Sequence, residues 1–335
     1  MLSQEEAFFR VGRKQPMRQI GHRESDAILG AMRQVALAGG RPLSYADTES
    51  ILAAAHYLLR RPDLTDIDSL PAVDPADLVS ALKADRELAR EGVKYLAIMA
   101  LVDGVLDTQK LARVLDYARA LDVEAGYLTE LVEAASGHMA WAIADMTRKN
   151  FDSIISRPSD GIDPVAWIKP YGDGNADPAL VARYEALGKL ADNTFGKALW
   201  EFDKQNGYSF PGDPTALNAT FGTPHDSTHV ISGYDTSARG EILVSTFTAG
   251  MHPINPMTGH ILPVIFNGHL GVKFNDVARY TTGSLDPNEF WHAWARGRDM
   301  TVDIFAPEWN VWDWVDKDLE EVRRLFTVAP AGRVP

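Results

Sequence analysis

Between residues 157 and 178 the chain reads RPSDGIDPVAWIKPYGDGNADP, with prolines at 158, 164, 170 and 178 and glycines at 161, 172 and 174. Proline has no backbone N–H to give to a helix or a sheet ladder, and clustered glycines leave the backbone unconstrained. Such a stretch is expected to support neither a regular helix nor an interior strand, which makes it a natural domain boundary. On that basis residues 1–24, of mixed charge and without a sustained period, read as a lead-in. Residues 25–156 read as a first domain, 157–178 as the linker and 179–335 as a second domain. Trp167 and Ile168 are apolar residues inside the linker, so part of it is expected to pack down.

Both flanks repeat their apolar residues at helical spacing. From Thr108 to Leu121, Leu111, Val114, Leu115 and Ala118 share one face, and Leu128, Leu131, Val132 and Ala135 repeat the pattern one helix later. Ser44 stands where an N-cap is needed, with Asp47 in the box position three residues on. Asp107 is a second sound N-cap. The run Tyr95–Val102 is apolar all round and reads as the central buried helix. Further helices are expected over 179–205, 224–232, 238–250, 261–272, 287–300 and 315–325, with Gly and Pro in the gaps. Strand-like alternation is scarce, so the expected fold class is mainly α, with two helical domains, the first of them a helical bundle.

The 33 basic and 46 acidic residues leave a net charge of −13. That argues against a general nucleic-acid binder, which needs a basic face to neutralise phosphates. There is no cysteine, so disulfides, thiolate metal sites and cysteine nucleophiles are excluded, and any metal must be held by nitrogen and oxygen. The start, Met-Leu-Ser-Gln-Glu-Glu, has no apolar core of a secretory signal. The longest apolar runs, Tyr95–Val102 and Ile261–Phe266, fall well short of the roughly 20 residues of a membrane span. The expectation is a cytoplasmic protein, with peripheral membrane contact left open.

Six of the nine histidines lie between 225 and 292. In TPHDSTHVISGYDTSARGE, Thr223 is placed to act as N-cap and Pro224 as first helical residue. His225 and His229 are then four apart on one helix face, and Asp226 is one step round from them. Glu241 lies twelve residues beyond His229, about 18 Å along a continuous helix and too far to share an ion. Gly233 is suited to end the first helix, so that a second can fold back and bring Glu241 in. His225, Asp226, His229 and Glu241 then become candidate ligands, and catalytic through the metal, for one divalent ion. Two imidazoles and two carboxylates suit zinc, iron, manganese or cobalt. A His-Asp-x-x-His pattern alone also describes two solvated helix-surface histidines. His252, His260, His269 and His292 share no spacing and read as structural or surface residues.

The pattern His-Asp-x-x-His, eleven residues, then Glu, with glycines at 233 and 240, resembles the signature of the Coq4 family of ubiquinone-biosynthesis proteins. The flanks extend the resemblance over about 190–326. NTFGKALWEFDKQNG (193–207) is similar to the family's upstream segment, and Gly297-Arg298, Trp309, Trp312, Leu319, Arg323 and Leu325 to its C-terminus. The family's later lysine is replaced here by Ser245. The resemblance implies a mostly helical fold, a zinc-type site at the four motif positions, and an isoprenoid-type lipid in an apolar groove. It also implies work on a quinone precursor, with oxidative decarboxylation of an aromatic head group. More weakly, ALVDGVLDTQKLARVLDYARALDV (100–123) resembles the TerB-like helical domain of tellurite-resistance proteins, with Lys110 where that family carries glutamate.

The enzyme reading is a metal-dependent lyase or oxidative decarboxylase acting on an aromatic acid or isoprenoid-type lipid. Arg298 is a candidate for the anionic head group, and Ile265 and Phe266, within Ile261–Phe266, for an apolar wall. Core packing accounts for that wall equally well. A homodimer or a biosynthetic complex is a candidate assembly. The alternatives are a non-enzymatic lipid-binding or scaffold protein with a structural metal, and an HD-type phosphohydrolase, which also uses a His-Asp dyad.

Overall fold

A computed structural model describes residues 20–331, apart from 83, 157, 160, 173 and 275–279. Among them the chain is mainly α-helical: fifteen α-helices, and only isolated bridges, Thr194 with Asp318 and Leu270 with Thr282, in place of strands. Two compact units emerge, and they do not follow chain order. One gathers the described residues of Pro16–Thr147 with those of His260–Ala295. The other gathers Arg148–Gly259 with those of Arg296–Pro335. Cutting the sequence at 157–178 therefore leaves 260–295 on the wrong side, for reasons given below. None of the described helices is long and apolar enough to cross a membrane.

The first unit holds α1 (His22–Ala36), α2 (Tyr45–Tyr57), α3 (Pro75–Leu82), α4 (Arg86–Met99), α5 (Thr108–Ala120) and α6 (Gly126–Ala135). The lead-in expected over 1–24 lies mostly outside the described residues, and helix has already begun at His22. Helix α1 packs against α2, α3, α4 and α5, with Ile28, Leu29, Ala31, Met32 and Val35 fully buried. The start of α2 has the capping box read from sequence: Ser44 Oγ accepts from Asp47 N, and the Asp47 carboxylate accepts from Ser44 N. Asp107 caps α5 through the amides of Gln109 and Lys110. Every residue of Tyr95–Val102 is at most 1% exposed, as its apolar pattern demanded. Beside it the Lys110 ammonium, itself buried, lies 2.9 Å from Asp47 Oδ1 and 2.8 Å from Asp103 Oδ2. Pairing of this kind is what makes a buried lysine tolerable.

Segment 260–295 belongs with these helices because its polar and aromatic groups are satisfied there. His269 Nδ1 accepts from Leu285 N at 3.2 Å, and its Nε2–H donates to the Val102 carbonyl at 3.1 Å. Burial holds its pKa below the ordinary histidine value, in keeping with that neutral ring. Trp291 Nε1 donates to Ser50 Oγ at 2.8 Å, while the Tyr95 ring meets Trp291 and Trp294 edge-on. These partners are far apart in sequence and leave no local trace.

In the second unit, α7 (Met139–Ile154), whose first turns belong to the other unit, leads into α8 (Pro164–Ile168), α9 (Pro178–Leu187), α10 (Phe195–Asn206), α11 (Ala219–Ser232) and α12 (Ala238–Met251). A short helix inside the Pro/Gly-rich stretch corrects the expectation of none. Pro164 is its first residue, where a missing N–H is harmless and the fixed φ is already helical. The stretch does pack down: the Trp167 and Ile168 carbonyls accept from the side chain and backbone of Asn218, both at 2.9 Å. Beyond α12 the chain runs through a π-helical turn (Pro256–Ile261), then α13 (Leu262–Gly268) and α14 (Pro287–Asp299), which up to Ala295 belong to the first unit, and α15 (Leu319–Leu325), which belongs to the second. The core of this unit is built from Phe195, Leu199, Ile231, Phe247, Val322 and Phe326. Helix α11 lies at its centre, against α10, α12 and α15.

Candidate metal centre

Helix α11 begins five residues before the position read from sequence. Asn218, not Thr223, is the N-cap, its side chain accepting from Thr220 N. The Thr223 hydroxyl is engaged instead with Tyr184 Oη at 2.5 Å, and Pro224 lies inside the helix. The far end is as expected. Gly233 takes a left-handed φ of 78°, and its N–H donates to the His229 carbonyl at 2.8 Å. Ser237 caps α12 through Gly240 N at 3.0 Å. A side chain at 240 would collide with the Asp235 carbonyl, so glycine there lets the turn close tightly. Glu241 enters in the first turn of α12, where the positive end of the helix dipole favours a carboxylate.

The fold-back brings His225, His229 and Glu241 together, with one potential ligand atom from each lying within 4.8 Å of the others. Glu241 Oε1 is 3.5 Å from His229 Nε2, and Oε2 is 3.6 Å from His225 Nε2. These separations are long for a hydrogen bond. They match the roughly 3.3 Å between ligand atoms that bind one tetrahedral ion at about 2 Å. Asp226 does not join the three. Its Oδ1 lies 3.1 Å from His225 Nδ1, on the other side of that ring, in the place from which a carboxylate orients a metal-binding imidazole.

His229 is almost fully buried. Its Nδ1 is 2.9 Å from the Tyr234 carbonyl, which can only accept, so Nδ1 carries a proton and, in the neutral ring, Nε2 presents a lone pair. Nε2 is buried and has no hydrogen-bond partner among the described residues. Phe202 stacks on this ring at 5.1 Å and Phe221 tilts against His225 at 5.4 Å, restricting both imidazoles. Burial by itself would lower His225, but Asp226 and Glu241 outweigh it and carry its pKa to about 10. Burial would likewise raise Glu241, yet the two histidines hold its carboxyl far below the usual range.

Two arginines hold the C-terminal end of α11. Arg296 Nη2 donates to the Ser232 carbonyl at 2.9 Å. Arg323 donates to Ile231 and Val230 at 3.0 and 2.8 Å. The last-turn carbonyls, left without helical partners, are thus met by positive charge.

Two further residues border the cluster. Asp203, on α10, is 4% exposed and its Oδ1 has no hydrogen-bond partner among the described residues. Burial first, and the charge of Asp226 second, push its carboxyl up to about 8. The signal was in the sequence: Asp203 is four residues beyond Leu199, on the stripe that Phe195 and Leu199 bury. Tyr208 follows the left-handed cap Gly207, and burial together with Glu241 and Asp226 raises its phenol. No sequence period marks it.

Ile265 and Phe266, the expected apolar wall, are fully buried core residues of the other unit. Arg298 Nε lies 3.3 Å from Asp299 Oδ1. His252 is held between Asp303 Oδ2, at 2.8 Å, and the Ser153 carbonyl, at 3.2 Å. His292 stacks on Tyr57 at 4.7 Å. Neither histidine belongs to the cluster. No family model matches the chain, and no curated protein or solved structure matches it either.

Proposed function

We propose that this chain is a Coq4-like metal-dependent protein, holding one divalent ion, zinc first, between His225, His229 and Glu241. It would act on the aromatic head group of a quinone precursor or isoprenoid-type lipid, with decarboxylation as the reaction. One observation carries the metal reading: the unpartnered, buried lone pair of His229 Nε2 faces a carboxylate at 3.5 Å. Two acceptors facing each other in a buried site call for a cation between them.

When bound, such an ion supplies Lewis acidity, drawing charge from a carboxylate or phenolate that docks on it. The chain's own groups do the rest. Asp226 and the Tyr234 carbonyl fix the faces of the two imidazoles. Phe202 and Phe221 limit water around them, and Asp203, neutral through most of the physiological range, offers a proton at the border of the site. Three protein ligands leave a fourth position open, which favours a catalytic site over a closed structural one. The reading carries with it a cytoplasmic location with peripheral membrane contact, and a biosynthetic complex as partner. The TerB-like likeness of residues 100–123 supplies no function here, since Lys110 already neutralises Asp47 and Asp103.

Metal analysis of the purified protein, wild type against His229→Ala, with mass spectrometry of co-purified lipid, tests this. The expected result is one ion per chain in the wild type, none in the variant, and an isoprenoid-type lipid in the extract. A metal-free wild type that takes up neither zinc, iron, manganese nor cobalt overturns it.

A further inference from the structure

Arg296 is a buried arginine near the end of α14, where residues 296–299 belong to the second unit. A guanidinium keeps its proton in a protein, so its charge has to be met inside. Two carbonyls and two aromatic rings meet it. Nε donates to the Ala329 carbonyl at 2.8 Å and Nη2 to the Ser232 carbonyl at 2.9 Å. The guanidinium carbon lies 5.0 Å from the centre of the Tyr234 ring and 5.4 Å from that of Phe247. Nη1 has no hydrogen-bond partner among the described residues, so its share of the charge is left to the faces of those rings.

These contacts take in every part of the helix–turn–helix that carries the three ligands. Ser232 ends α11, Tyr234 follows Gly233 in the turn, and Phe247 stands on α12. The Tyr234 and Phe247 rings meet edge-on at 6.3 Å. Next to Arg296, a side chain at 297 would collide with the Phe247 carbonyl, so glycine lets α14 run directly against the backbone of α12.

Two acceptors contend for the proton of a neutral His229 ring. The Tyr234 carbonyl, 2.9 Å from Nδ1, favours a proton on Nδ1. The Glu241 carboxylate, 3.5 Å from Nε2, favours one on Nε2, and a proton there would occupy the lone pair an ion needs. The direction of the Tyr234 carbonyl decides between them, and Arg296 grips that residue by its ring and the chain two residues earlier by its carbonyl. We infer that Arg296 is a positioning residue of the metal centre: its hold on the turn keeps His229 in the Nδ1–H form that can take an ion through Nε2. The ion in this statement rests on the metal reading, whereas the choice of tautomer does not.

The test uses the full chain labelled with ¹⁵N-histidine, whose long-range ¹H–¹⁵N spectra tell a protonated ring nitrogen from a bare one. Spectra are taken free of zinc at about pH 9, well above the ordinary histidine value near 6.5, and His229→Gln assigns the His229 signals among the nine histidines. Zinc affinity is read separately, by competition with an indicator. Arg296→Met keeps much of the side chain's length and removes its charge and donors. Leu187→Ala, a core change in the same unit, is the destabilised control. In the wild type, His229 is expected to be protonated at Nδ1 and bare at Nε2. Arg296→Met should show a mixture of the two tautomers and bind zinc about 10- to 100-fold more weakly, as when a partner behind a ligand is lost. Leu187→Ala should keep the wild-type pattern and affinity. If Arg296→Met does not fold, Arg296→Lys, which keeps the charge and loses the planar fork, takes its place with the same readouts. A wild-type ring bare at Nδ1 or protonated at both nitrogens, an unchanged tautomer in the folded Arg296 variant, or an equal change in Leu187→Ala overturns the inference. Tautomers that shift as expected in a protein that binds no zinc would sink the metal reading and leave the hold of Arg296 on His229 standing.

Discussion

His229 Nδ1 donates to the carbonyl oxygen of Tyr234 across 2.9 Å, so the turn that ends the helix also sets the tautomer of the histidine inside it. Nε2 is left as a buried acceptor facing Glu241. Glu241→Gln keeps the shape of the side chain and removes its charge. Metal bound per chain is expected to fall to near zero, read by elemental analysis after gel filtration. Asp226→Asn, acting through His225, should weaken affinity by only about 10- to 100-fold, read by competition with a zinc indicator. Full affinity in Glu241→Gln would mean the ion is held elsewhere.

Asp203 gives the chain a pH signature. Its folded pKa, about 8, is above the unfolded value near 3.9, so the folded state holds the proton more tightly. The associated stability is fully present below pH 4 and is lost as pH rises through 8. Asp203→Asn, permanently neutral, should flatten the fall in Tm between pH 5 and pH 8 and melt higher than wild type at pH 8. Parallel Tm profiles for the two proteins would contradict this.

Arg323→Ala removes three donors from the last turn of the metal-bearing helix and from Glu320. The loss of charge-assisted bonds to Ile231 and Val230 should cost about 2–3 kcal/mol in urea unfolding. Arg296→Ala, at a buried position, should cost at least as much. A change below about 0.5 kcal/mol in both would show that the carbonyls are met by water as readily as by arginine.

Lys110→Met leaves Asp47 and Asp103 without their shared cation. Breaking a buried pair in this way costs about 3–5 kcal/mol. Adding Asp47→Asn and Asp103→Asn to Lys110→Met should recover most of that loss. Denaturant midpoints of the single and triple variants read the effect, and an unperturbed single variant would remove the triad from the account of this fold's stability.

Local signals were legible where the cause is local. The Ser44–Asp47 box, the Asp107 cap, the left-handed Gly233 and the buried run Tyr95–Val102 each depend on residues within one turn or one helix. The start of α11 was misread because Pro224 suits a first helical position by itself. The real N-terminus is fixed by Asn218, whose bonds to Trp167 and Ile168 cross 50 residues. The place of 260–295 was misread for the same reason, since His269 answers to Val102 and Trp291 to Ser50.

The sequence by itself determined that the chain would be helical and that His225 and His229 would share a face with Gly233 beyond them, because periodicity and caps act over a few residues. Only the tertiary structure decided that Glu241 stands 3.5 Å from His229 while Asp226 turns behind His225, and that Asp203 is buried beside them. Those distances are set by how α10, α11 and α12 pack, and a helix-to-helix angle has no expression in the order of residues along either helix.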